Sequence, residues 1–98
     1  MNIEKNREMM IENQLRPNKI TNLILLDTFN EVSKEKFISS DNLNICYSDQ
    51  DISILGNRGY LKNLHLAQIL YFADIKKHEK VLHIGGLTGY LSVLISKL

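Results

Sequence analysis

Val81-Leu82-His83-Ile84-Gly85-Gly86-Leu87-Thr88-Gly89-Tyr90 is the stretch on which the fold turns. A short apolar run enters a glycine-rich turn, and the spacing of apolar residues then changes. Leu91, Leu94, Ile95 and Leu98 fall at i, i+3, i+4 and i+7. The first pattern predicts a buried strand at Val81 to Ile84, and the second an amphipathic helix from about Leu91 onward. Strand, turn and helix form a βα unit, so the class is α/β. Glycines let the backbone bend sharply and approach a ligand, while free amides at the helix start face it. The spacing is Gly85-x-x-x-Gly89. A dinucleotide fingerprint needs glycines at 87 and 90, where Leu87 and Tyr90 stand, and a P-loop needs lysine where Tyr90 stands. By spacing alone, such a turn is more often structural than ligand-binding.

Outward from this unit, Asp74 to Lys80 is a charged connection, and Leu61 to Ala73 predicts a helix burying Leu61, Leu64, Leu70 and Phe72. Gly56-Asn57-Arg58-Gly59 reads as a loop. Ile45-Cys46-Tyr47 and Ile52-Ser53-Ile54-Leu55 suggest extended chain or a loose hairpin. Ser33 to Asn44 is a turn anchored by Phe37. Before it, Thr21 is placed to cap a helix with the stripe Leu23, Leu26, Phe29 and Val32. A first helix over Ile3 to Leu15 presents Ile3, Met10 and Ile11 and stops at Arg16-Pro17-Asn18, because the residue before proline is pushed out of helical geometry. The chain divides into a mainly helical extension, 1–75, and a βα unit, 76–98.

Composition narrows the function classes. Ninety-eight residues make one small domain at most, or part of a larger one. Twelve basic residues against 11 acidic give a net charge of +1, with no reason to expect nucleic-acid or membrane binding. No apolar run approaches the ~20 residues of a membrane span, and Met1 to Glu12 is charged with no leader-like core. A cytoplasmic location is the expectation. Cys46 is the single cysteine, which excludes an internal disulfide and a cysteine-based zinc site, and it reads as buried packing. His65, His78 and His83 lack metal-ligand spacing, so no metal is expected. Asp49 and Asp51 read as turn-formers, and Met9 and Met10 as core-facing.

Val81 to Tyr90 is similar to the first motif of class I S-adenosylmethionine-dependent methyltransferases. Thr88-Gly89-Tyr90 followed by Leu91-Ser92-Val93-Leu94 resembles the protein-L-isoaspartate O-methyltransferase family in particular. Met10-Ile11-Glu12-Asn13-Gln14-Leu15-Arg16-Pro17 resembles the family's "M-(V/I)-E-x-Q-(L/V)-R" segment, and Glu35-Lys36-Phe37-Ile38 its "P-R-(E/H)-x-F-(V/I)" stretch. Tyr47 to Ile52 and Arg58 to Leu70 follow in the family's order. The resemblance implies a Rossmann-like methyltransferase fold, present as a truncated form: the helical extension, then the first strand, glycine turn and helix start. It implies S-adenosyl-L-methionine as cofactor, with Gly85, Gly86, Thr88 and Gly89 cradling its methionine end. The implied reaction is methyl transfer to isoaspartyl carboxylates of damaged proteins, which are the implied partners; no catalytic residue is assigned.

Several positions depart from the family pattern. His83 stands where the family has an acid, Leu87 where it has a small residue, and Asn63 in place of a proline. No Ser or Thr lies between Ser53 and Thr88 to match the family's "T-I-S-Q-P" segment. The ribose-binding acid and later strands of the family would lie beyond Leu98. The chain alone is therefore expected to be inactive. The alternative is a catalytically inactive remnant or small helical interaction module, associating with itself or with a missing C-terminal half.

Overall fold

Asn2 opens the first helix by accepting the Lys5 amide on its side chain at 3.1 Å, and the computed structural model describes residues 2–98. Helix α1, Ile3–Met10, continues through a π-helical turn, Ile11–Leu15, and a 3-10 turn, Arg16–Asn18, that carries Pro17. Met10, Ile11 and Leu15 face the core, whereas Met9 is 49% exposed, contrary to its expected burial. Helix α2 is Leu23–Glu31. Its cap is Asn22, whose side chain accepts the Leu25 amide at 3.2 Å, and not Thr21. The buried stripe is accordingly Leu25, Leu26 and Phe29, with Leu23 left in solvent.

The stretch read as a turn after α2 winds into two 3-10 segments, Lys34–Phe37 and Ser40–Ile45. The expected pairing of Ile45-Cys46-Tyr47 with Ile52–Leu55 does not form, since Ile45 ends the second 3-10 segment and Cys46 and Tyr47 follow as a turn. Strand β1, Ile52–Leu55, pairs instead with strand β2, Arg58–Tyr60, so Arg58 and Gly59 belong to a strand and not to a loop. Ile52 lies opposite Tyr60 and Ser53 opposite Gly59. Gly59 is required there, since a Cβ would sit 2.1 Å from the Ile52 carbonyl oxygen. Helix α3, Asn63–Ala73, buries Leu66, Ala67 and Leu70. Leu61 and Phe72, expected inside, are exposed, because the buried face of α3 runs through 63, 66, 67 and 70. Helix α4, Tyr90–Lys97, forms where the period predicts it and buries Tyr90 and Leu94.

The predicted strand at Val81 to Ile84 does not form. Residues 81–86 hold no regular secondary structure, with Leu82 and Ile84 85% and 83% exposed. A buried strand needs neighbours on its edges and faces, and the sheet among the described residues is the β1–β2 hairpin alone. The fold is thus a set of helices around one apolar core with a two-stranded antiparallel sheet beside them. No helix among the described residues is long and apolar enough to cross a membrane.

Amide hydrogen exchange distinguishes these regions. Leu82, His83 and Ile84 are expected to exchange close to unfolded-chain rates, while Leu70 and Leu94 are protected to the global limit. Protection at 82–84 in the isolated chain would contradict the fold described.

Candidate functional site

Three left-handed residues shape the glycine turn: Gly85 (φ 76°), Leu87 (φ 54°) and Gly89 (φ 98°). The Gly89 amide closes it on the Gly86 carbonyl at 2.8 Å, and Gly89 caps α4. For a leucine the left-handed conformation costs about 1–2 kcal/mol. Leu87 offsets this by packing its side chain against the core.

Tyr60, at the end of β2 and buried, anchors the turn. The Thr88 hydroxyl donates to the Phe37 carbonyl at 2.8 Å, so it accepts the Tyr60 hydroxyl proton at 2.7 Å. The Tyr60 oxygen in turn accepts the amides of Thr88 at 3.1 Å and Tyr90 at 3.0 Å. A phenol has one proton and two acceptor positions, and all are used. Two amides at the start of α4, which the sequence reading assigns to a ligand, are therefore held by this side chain.

The four sequence-predicted residues divide accordingly. Gly85 and Gly86 border a cleft of about 170 Å³, which Tyr60, Ile69, His83 and Leu91 also line. Thr88 turns its hydroxyl to Phe37 and Tyr60, and Gly89 sits with the Phe37 ring 3.9 Å from where its Cβ would be. His83 Nδ1 lies 2.7 Å from the Ser92 hydroxyl, tying the incoming segment to α4. Small-molecule pockets run to ~300–1,000 Å³. Where a Cβ would stand, Gly85 meets nothing nearer than Arg58 Nη2 at 3.9 Å and leaves room for one end of S-adenosylmethionine. Gly86 already faces Ser92 Oγ at 3.1 Å, and the cleft does not fit the nucleoside.

Beneath the turn lies a group that sequence reasoning missed. Lys34 is fully buried; its ammonium donates to Asn63 Oδ1 at 2.7 Å. It stands 5.4 Å from the Tyr90 ring centroid and 5.9 Å from that of Tyr60. Burial pushes its pKa down to about 8, against the weaker opposing pull of Cys46 and Asp51. The Lys34 amide donates to the Tyr47 hydroxyl at 3.0 Å. Tyr47 in turn donates to Glu35, which pairs with Arg7 of α1 at 3.0 Å. Cys46 is buried as expected, and desolvation pushes its thiol up to about 11, the wrong direction for a nucleophile.

Two substitutions test these anchors. Tyr60→Phe strands the buried Tyr90 amide and frees Thr88, and is expected to cost about 2–4 kcal/mol in denaturant unfolding. Lys34 binds its proton more weakly in the folded chain (about 8) than in the unfolded one (10.5). Between those values the unfolded chain holds more protons, so this group raises stability as pH rises, by roughly 3 kcal/mol in all. Lys34→Met is expected to remove that gain. The stability of the variant relative to wild type then falls steadily from pH 8 to 10.5, whereas parallel profiles would refute the assignment.

A family model described as Protein-L-isoaspartate(D-aspartate) O-methyltransferase matches residues 4–98. A protein-L-isoaspartate O-methyltransferase of Petrotoga mobilis is 26% identical over 98 residues, covering 100% of this chain and 46% of the relative. One from Protochlamydia amoebophila is 28% identical over 89 residues, covering 91% of this chain and 42% of the relative. Protein-L-isoaspartate O-methyltransferase 2 of Pelobacter propionicus is 26% identical over 97 residues, covering 99% and 43%. The chain spans less than half the length of these relatives. It belongs to the protein-L-isoaspartate O-methyltransferase family, of which it represents the N-terminal portion.

Proposed function

We propose that this chain provides the N-terminal half of an S-adenosylmethionine-dependent methyltransferase acting on isoaspartyl carboxylates in proteins. Residues 1–75 serve as the helical extension, and 76–98 open a Rossmann-like cofactor domain. The observation that carries the reading is the Gly85–Gly89 turn. It has three left-handed residues running directly into α4, inside the region matched to the family. The cofactor, when bound, supplies an activated methyl group. In this reading Gly85 and Gly86 lie against its methionine end, while Thr88 and Gly89 hold the turn in shape through Phe37 and Tyr60. Holding donor and carboxylate in line is the main contribution such a protein makes to the reaction.

The chain alone lacks the space for this work. A site missing its nucleoside contacts loses a charged hydrogen bond worth about 1.5–3 kcal/mol and a comparable apolar term, and each 1.4 kcal/mol is tenfold. A micromolar site falls to roughly millimolar. Calorimetry at ~100 µM S-adenosylmethionine is expected to show no saturable binding, even with His83→Glu and Leu87→Gly combined. Radiolabelled methyl transfer to an isoaspartyl peptide is expected not to exceed the enzyme-free control. Replacing the matched half of the Petrotoga mobilis relative by these 98 residues is expected to restore both binding and transfer. A folded chimera that binds no cofactor would overturn the function. That result would favour a helical interaction module, the reading supported by the exposed Leu82, Ile84 and Phe72.

A further inference from the structure

The first helix carries a group of amides that the glycine turn and its anchors do not use. Asn6, Met9 and Asn13 follow one another at helical spacing along α1 and its π-helical continuation, with Gln14 beside them. Leu43 and Asn44 of the second 3-10 segment form the other wall of a hollow of about 300 Å³, at the low end of small-ligand sites. The side-chain amides of Asn6, Asn13 and Asn44 make no hydrogen bond to the protein among the described residues. Gln14 gives its Nε2 to the Tyr47 carbonyl at 2.8 Å, which leaves its Oε1 buried without a donor. The helix is also widened here, the Arg16 amide reaching back five residues to the Ile11 carbonyl. Single π-helical turns are rare and recur at functional sites.

We propose that this hollow binds a neutral peptide segment, held through its backbone amides by Asn13, Gln14 and Asn44, with an apolar side chain against Met9 and Leu43. The proposal goes beyond the methyl-transfer reading and does not rest on it. The chemistry of the lining selects the occupant. No ionised side chain borders the hollow, since burial and the contact with Glu35 push the Tyr47 phenol well above its ordinary range. A phosphate or carboxylate would ask for an arginine or lysine, and an amine for an acid. A carboxamide instead offers an acceptor and two donor hydrogens, the complement of the N–H and C=O of a peptide unit. The buried Gln14 Oε1 asks for a donor, which a peptide N–H supplies. Met9, 49% exposed, is unbranched and adapts to side chains of different shape. A sugar presents no alkyl side chain for Met9 and Leu43 to cover.

The test titrates the isotopically labelled 98-residue chain with a capped tripeptide, N-acetyl-glycyl-leucyl-glycine methylamide, and follows the side-chain amide resonances by NMR. Saturable shifts are expected at Asn13, Gln14 and Asn44, with a Kd of ~1–10 mM. An ester in place of the leucine amide removes the N–H and is expected to weaken binding at least ~fivefold. Asn13→Ala with Asn44→Ala, both on exposed positions, is expected to weaken it at least ~fivefold while the rest of the spectrum stays unchanged. Acetate and glucose are expected to bind at least ~tenfold more weakly than the peptide. Absence of saturation overturns the proposal, as does binding that ignores the ester or the double substitution. Acetate or glucose binding as tightly as the peptide overturns it equally. If the double variant unfolds, the ester comparison on the unaltered chain decides. Peptide binding here, together with a folded chimera that transfers no methyl group, supports the site and refutes the function proposed above.

Discussion

The hydroxyl of Tyr60 joins parts of the chain that local sequence alone would leave apart. It takes the amides of Thr88 and Tyr90 and gives its proton to Thr88, whose own hydroxyl reaches the Phe37 carbonyl. One oxygen therefore fixes the hairpin, the 3-10 turn after α2 and the start of α4 to one another. A glycine turn is costly to order because glycine has the most backbone freedom to lose. Here the ordering is supplied from within the protein, by the Tyr60 hydroxyl and the Phe37 carbonyl.

The surroundings of that oxygen explain how a lysine survives in the core. An ammonium buried alone is costly, yet the space beside Tyr60 and Tyr90 offers two ring faces and the Asn63 amide oxygen. Asn63 is held in turn, its amide nitrogen donating to the Cys46 carbonyl at 3.3 Å. The lysine still feels its burial, which is why its proton is loosened. The Arg7–Glu35 pair is more conventional, a part-buried contact that fastens α1 to the segment carrying Lys34.

What the sequence reveals follows from which interactions are local. Helix α4 is legible because its period changes at a glycine, and α2 is legible to within one residue of its cap, Asn22 in place of Thr21. The turn is legible because positive backbone angles select glycine. Val81 to Ile84 is misread because an apolar run records a preference for burial, and burial depends on a neighbour that no local pattern reveals. Lys34 sits between Ser33 and Glu35 and looks like a solvated charge; only the closing of α3 and α4 over it makes it a core residue. Tyr60 escapes for the same reason, since its partners lie 28 and 30 positions away. The family resemblance reached further than periodicity because ordered motifs carry tertiary information that no single segment contains.

Leu87 separates two roles that a small residue would combine at its position. The backbone there is left-handed at φ 54° despite the side chain, so the turn does not need glycine to keep its shape. Core packing and the Tyr60 anchor offset a local penalty of about 1–2 kcal/mol. Yet the Leu87 side chain also borders the cleft at Gly85 and Gly86, and what a smaller residue would add is room. His83 acts in the same direction, since its bond to Ser92 draws the incoming segment toward α4. The turn thus keeps its left-handed shape while the side chains of Leu87 and His83 line the cleft at Gly85 and Gly86.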